Sequence, residues 1–302
     1  MSVLESVLSD LAAEGDQLRT AVAGLDDAAW ATPVPAERWT IATTIAHLLW
    51  TDEVAVLAAR AGTPEGKEAW DAVVLQAIAD PTGFVDAGAV EIAVLPPADL
   101  MARWDAGRAA LTGALREVPD GTKMPWFGPP MSPTSMATAR FMETWAHALD
   151  VYDGLVSTGS TTGTGSTTGT GSTTGNGSTT GSGSTTGSSA IAARPAPSDR
   201  IKHVAHLGVR TRGFSYVQNG LEPPTAEVRV ELTAPSGATW TWGPDDAAQS
   251  VTGSAYDFCQ LVTQRIHRDD TDLVAVGDDA EQWLRIAQAF AGPAGGGREA
   301  RG

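Results

Sequence analysis

Residues 157–189 hold only serine, threonine and glycine apart from Asn176, and this stretch limits the possible folds more than any other feature of the chain. From Gly159 it runs as a six-residue repeat, GSTTGT GSTTGT GSTTGN GSTTGS GSTTGS. Such side chains bury too little apolar surface to offset the entropy of ordering them, so no core forms there. The segment reads as a flexible tether. It divides the chain into residues 1–156 and 190–292, with the glycine-rich end, 293–302, read as a disordered tail. A chain of 302 residues is long enough for two domains of ordinary size, each with its own core. The string GTGSTTG has glycine spacing reminiscent of a phosphate loop, but no strand precedes it and its glycines follow the repeat rather than one turn. NGS at Asn176 is a glycosylation acceptor only in a secreted chain.

Before the tether, apolar residues recur at helical spacing. Val3, Leu4, Val7, Leu8, Leu11, Leu18 and Val22 line a first helix, with Ser2 and Glu5 placed as a capping box. A second helix is expected from Thr40 through IATTIAHLLWTDEVAVLAARAG, stopping at Gly62, after a proline-broken entry, PVPAERW. A weaker one lies in EGKEAWDAVVLQAIAD. A third main helix follows LPPADL, with Leu100, Met101, Trp104, Leu111 and Leu115 on one side, and a fourth is TSMATARFMETWAHALDVYDGLV. Four main helices and no convincing strand predict a bundle. After the tether, DRIKHVAHLGVRTRGFSYV reads as helix. AEVRVELTAP and ATWTWGP alternate as strands around the turn PSG, and SAYDFCQLVTQRIHR and DAEQWLRIAQAFAG supply two further helices. The second unit is therefore expected to be α+β.

The formal net charge of −16 opposes non-specific attraction to phosphate backbones and anionic membranes. Cys259 is the only cysteine, which rules out an internal disulfide and a Cys-rich zinc motif, so any metal must use histidine and carboxylate ligands. The N-terminus lacks a basic stretch followed by an apolar core, and no later run reads as long enough to span a bilayer. A cytoplasmic protein without membrane or nucleic-acid partners is expected.

In FMETWAHALD and its flanks, Arg140, Glu143, His147 and Asp150 follow one another at three- and four-residue steps and form a single polar stripe. Taken alone, the stripe reads equally as a solvated face. His47, set among Ile45, Leu48 and Leu49 on a neighbouring helix, provides a second polar residue in apolar surroundings, and facing helices of a bundle can bring it opposite Glu143 and His147. Asp150 reads equally as an acceptor that orients an imidazole or as a solvated surface acid, and Arg140 can hold a substrate carboxylate or pair with an acid. Cys259, in AYDFCQLV, reads as a small buried hydrophobe rather than a reactive thiol. His203 and His206 read as packing and surface residues, HRDDTD around Asp269 reads as a solvated loop, and the tryptophans read as core.

RWTIATTIAHLLWTDE together with RFMETWAHALDVYD resembles the DinB-like superfamily, in particular its mycothiol-dependent maleylpyruvate isomerase group, over residues 2–156. The resemblance implies an N-terminal four-helix bundle followed by a small α+β domain, and a divalent metal, usually Zn2+, held by His47, Glu143 and His147. Two imidazoles and one carboxylate leave zinc one open position, the arrangement of a catalytic site. The resemblance places there a water or a low-molecular-weight thiol such as mycothiol, whose pKa the cation lowers. Arg265, His267 and Arg268, by analogy with an arginine that the isomerases use from their second domain, are candidate holders of a cofactor or substrate. The repeat is no part of that family pattern. The function implied is a mycothiol-dependent isomerase or thiol transferase acting on a small electrophile. The alternatives are a non-catalytic metal- or ligand-binding protein and, because the segment from TRGFSY to TWTWGP faintly resembles a wyosine-base-formation domain, a protein linked to the wyosine base of tRNA.

Overall fold

In a computed structural model the described residues are 1–159, 194–290 and 294–301; most of the repeat lies outside them. The N-terminal unit contains α1 (Val3–Val22), α2 (Asp27–Trp30), α3 (Ile41–Arg60), α4 (Pro64–Ala79), α5 (Phe84–Ala93), α6 (Pro97–Glu117) and α7 (Pro133–Gly159). Capping residues in the sequence set several starts. The hydroxyls of Ser2, Thr40 and Thr63 accept from the backbone N–H of Glu5, Thr43 and Gly66, and prolines sit in the first turns of α4 and α6, where no N–H is needed.

α1, α3, α6 and α7 are the four expected bundle helices. α1 packs on α7, and α3 lies against α6 and α7 while α4 and α5 flank it. The sequence reading passed over α5, FVDAGAVEIA, whose glycine and short length blur its periodicity. α3 corrects the expectation about membranes, because Ile41–Arg60 is long and apolar enough to cross one. Most of that helix is buried in the bundle, where it carries His47 and Asp52.

The C-terminal unit contains α8 (Lys202–Arg210), α9 (Arg212–Gln218), β1 (Val228–Thr233), β2 (Thr239–Trp242), β3 (Gln249–Ser254), α10 (Ala255–Val262), β4 (Val274–Val276) and α11 (Asp278–Ile286). The expected hairpin is present: β1 and β2 are antiparallel, with Val230 opposite Trp242 and Thr233 opposite Thr239. β3 joins β1 in parallel and β4 closes the order β2-β1-β3-β4. Neither β3, polar and interrupted by Gly253, nor the three-residue β4 was legible as a strand.

The expectation of two separate cores does not hold. One hydrophobic cluster runs from Leu8, Leu11, Phe141 and Trp145 of the bundle into Ile201, Val204, Phe258 and Trp283 of the second unit. Ion pairs cross the same seam, Arg200 to Glu14 at 2.9 Å, His203 to Asp10 at 2.8 Å and Arg194 to Asp153 at 2.6 Å. Residues 294–301 form no regular element, yet Arg298 reaches back to the bundle, in contrast with the disordered tail expected there.

Candidate metal centre

α7 turns its polar stripe inward. Arg140 and Asp150 are almost wholly buried, His147 is 9% exposed, and only Glu143 keeps appreciable access to solvent. α3 brings His47 across from them. His47 Nε2 lies 3.3 Å from Glu143 Oε2, and His147 Nε2 lies 3.4 Å from the same oxygen. One donor atom from each of the three residues falls within 4.8 Å of the others. With ligand bonds of about 2.0–2.1 Å, a tetrahedral zinc ion separates neighbouring donors by about 3.3–3.4 Å. Both spacings to Glu143 are therefore of the size that the ion requires, and a carboxylate with two imidazole nitrogens is a donor set suited to it.

The protonation chemistry follows from burial and from these neighbours. Desolvation pushes His47 down to about 4, and the nearby charges of His147 and Arg140 act in the same sense, so the imidazole is neutral and able to ligate at neutral pH. Burial alone would raise Glu143, but hydrogen bonds with His147 and His47 outweigh it and hold the carboxyl well below its usual range. Burial alone would lower His147, yet its hydrogen bonds to Asp150 and Glu143 raise it.

Behind His147, its Nδ1 lies 3.1 Å from Asp150 Oδ2, one turn further along α7. Arg265 Nη2 donates to the same oxygen at 2.7 Å and Arg298 Nη2 donates to Oδ1 at 2.7 Å. Burial would raise Asp150, but the Arg265 charge and His147 hold it far below the ordinary carboxylate range. Of the two readings the sequence left open, Asp150 is buried and lies against an imidazole rather than on the surface.

The other expected residues divide. Arg265 reaches the site, whereas His267 and Arg268 serve their own loop. His267 Nδ1 accepts from Asp269 N–H at 3.1 Å, and Arg268 donates to Thr271 and Glu281. Arg140 does not face the donor cluster with its hydrogen bond; its Nε donates to Asp52 Oδ1 at 2.8 Å in a pair whose side chains are 3% and 4% exposed. Cys259 is buried, its thiol donates to the Ile201 carbonyl, and burial raises it well above its usual pKa. His206 Nδ1 accepts from Trp242 Nε1 at 3.2 Å, so the second-domain histidines have structural partners.

Three contributors escaped the sequence reading. Asp52 carries no motif. Arg298 lies in a segment read as disorder. Trp39, taken for core, stacks on His147 with ring centroids 5.4 Å apart and leans on His47 at 4.8 Å. The backbone before it explains the placement: Arg38 has φ +63, and the Val34 N–H donates to the Trp39 carbonyl in a loop closed by the Pro33–Thr40 bridge. The only available signal was PVPAERW, two prolines just upstream of a helix cap.

Fold and site together define a class: a helical bundle that offers two histidines and a carboxylate from facing helices, backed by an arginine from an α+β unit. The mycothiol maleylpyruvate isomerase N-terminal domain model matches residues 11–152, so the N-terminal unit is similar to that domain family. The wyosine base formation model matches residues 224–276. Over 293 residues the chain is 48% identical to an uncharacterized protein present in two strains of Mycobacterium tuberculosis, covering 96% of this chain and 97% of that one. Crystal structures of a mycothiol-dependent maleylpyruvate isomerase and of a histidine-to-alanine variant of it superpose with TM-scores of 0.50 and 0.51. Each covers 90% of this chain and 92% of its own, at 15% and 14% identity, a likeness that establishes the fold.

Proposed function

We propose that the protein binds a divalent cation, zinc for preference, through His47, Glu143 and His147, and acts as a thiol-dependent isomerase or thiol transferase on a small electrophile in the cytoplasm, with mycothiol as the thiol. The observation that carries the metal reading is the donor spacing of 3.3 and 3.4 Å around Glu143 Oε2, on residues whose burial and contacts leave His47 neutral and Glu143 ionised. A cation at this point lowers the pKa of a thiol or water placed beside it, so a nucleophile exists at neutral pH without a reactive cysteine in the chain. Asp150 holds the far side of the His147 ring. Trp39 covers both imidazoles and excludes water from one side of them. The match of residues 11–152 to the mycothiol maleylpyruvate isomerase N-terminal domain supports the thiol and the reaction class.

The test has two stages. Purified protein should carry about one equivalent of metal, and His47→Ala or His147→Ala should remove it; an unchanged metal complement in those variants defeats the reading. Turnover of maleylpyruvate or a similar electrophile should then require both zinc and mycothiol. Metal binding with no turnover across a thiol screen would favour a non-catalytic binding protein. A second reading, a role at tRNA, rests on the wyosine base formation match at residues 224–276. The net charge of −16 opposes it, and absence of tRNA binding at low salt would dismiss it.

A further inference from the structure

We infer that Arg298, carried by the C-terminal segment 294–301, is a positioning residue of the metal centre that clamps Asp150 and through it sets the orientation of His147. This rests on the reading of His147 as a ligand. Asp150 is 1% exposed, and both its oxygens are occupied: Oδ2 faces His147 Nδ1 and Arg265 Nη2, while Oδ1 accepts from Arg298 at 2.7 Å. A carboxylate held at one oxygen can pivot about the bond that carries it. Held at both, it fixes the plane in which it meets the imidazole. That contact turns Nδ1 toward Asp150 and leaves Nε2 for Glu143 and the metal, the role carboxylates play behind ligating histidines.

The segment carrying Arg298 is seated by specific features. Gly297 has φ +66, a backbone conformation that side chains with a Cβ rarely adopt, so glycine is required at that position, and Gly295 packs beside the Gln264 side chain. Beyond Arg298, the Arg301 N–H donates to Asp270 Oδ2 at 3.0 Å. The run GGGR, which as sequence reads like a loose end, forms a strap laid over the loop that also carries Arg265.

The experiment uses full-length protein with 15N-labelled histidine, together with zinc affinity measured by chelator competition. At a pH above the raised pKa of His147, where the ring is neutral, the metal-free wild type should show the Nδ1–H tautomer. Arg298→Ala should mix the tautomers and weaken zinc binding about tenfold or more, as loss of a residue supporting a ligand does, and Arg298→Lys should recover part of both. Gly297→Val, which strains the backbone of the segment while keeping Arg298, should reproduce the Arg298→Ala result. A His147 signal and zinc affinity identical to wild type in both Arg298→Ala and Gly297→Val would overturn the inference. Failure of the wild type to bind zinc would instead overturn the metal reading, while the tautomer response would still decide whether Arg298 acts on His147.

Discussion

Asp52→Asn should be among the most damaging single substitutions in the bundle. The wild-type pair joins Arg140 Nε to Asp52 Oδ1 at 2.8 Å, with both side chains under 5% exposed, and a second guanidinium nitrogen, Arg140 Nη2, has no hydrogen-bond partner among the described residues. Neutralising the acid leaves a cation in a site that cannot hydrate it. Breaking a buried pair on one side costs about 3–5 kcal/mol, a large part of the roughly 5–15 kcal/mol that holds a domain folded. The expected fall in melting temperature is roughly 6–20 °C. Urea denaturation of the metal-free protein at pH 7.5 measures the loss directly. Because the attraction in such a pair does little more than repay its desolvation, Asp52→Leu combined with Arg140→Met should restore stability to near the wild-type value. The double variant should also keep its zinc, since neither residue is a ligand. The reasoning is refuted if Asp52→Asn lies within 1 kcal/mol of wild type, or if the apolar pair is no better than the single variant.

Stability of the metal-free protein should depend on pH through His47, whose folded-state pKa of about 4 lies below the ordinary histidine value of about 6.5. As pH falls from about 6.5 towards 4 the unfolded chain takes up this proton and the folded chain does not, so stability declines across that window by on the order of 3 kcal/mol. His147, raised, contributes in the opposite sense; comparing wild type with His47→Gln by denaturation at several pH values isolates the His47 part, and parallel curves would contradict it. Trp39→Ala should open the imidazoles to water. Since burial is the main cause of the low His47 value, its NMR titration midpoint should then move from about 4 back towards 6.5, and an unmoved midpoint would show that the ring excludes no solvent. Gly243→Ala should destabilise the end of the β1–β2 hairpin by more than 1 kcal/mol, because Gly243 has φ +79 and a Cβ there would lie 2.0 Å from the Val228 carbonyl oxygen; a melting temperature equal to wild type would refute this.

Much of the bundle was legible because its helices announce themselves locally. Ser2 and Thr40 are caps, and Val7, Leu8, Leu11 and Leu18 repeat at the helical period. β3 and β4 were not, since strands this short draw their definition from partners distant in sequence rather than from alternation of their own. The same distinction divides the site. Glu143 and His147 are neighbours on one helix, so their spacing was visible, whereas Asp52 meets Arg140 across 88 residues and Arg298 meets Asp150 across 148.

The sequence by itself determined most of the helical segments and which side chains are available as metal donors in a chain with one cysteine. Periodicity, capping and residue chemistry are local properties, and one strand of text carries them. Only the tertiary structure decided that the stripe on α7 faces inward, that Arg140 belongs to Asp52 rather than to the donor cluster, that Trp39 covers the imidazoles, and that the two units on either side of the repeat share one core. Each of those outcomes depends on how helices meet, and the direction in which a polar face points is set by whatever packs against it.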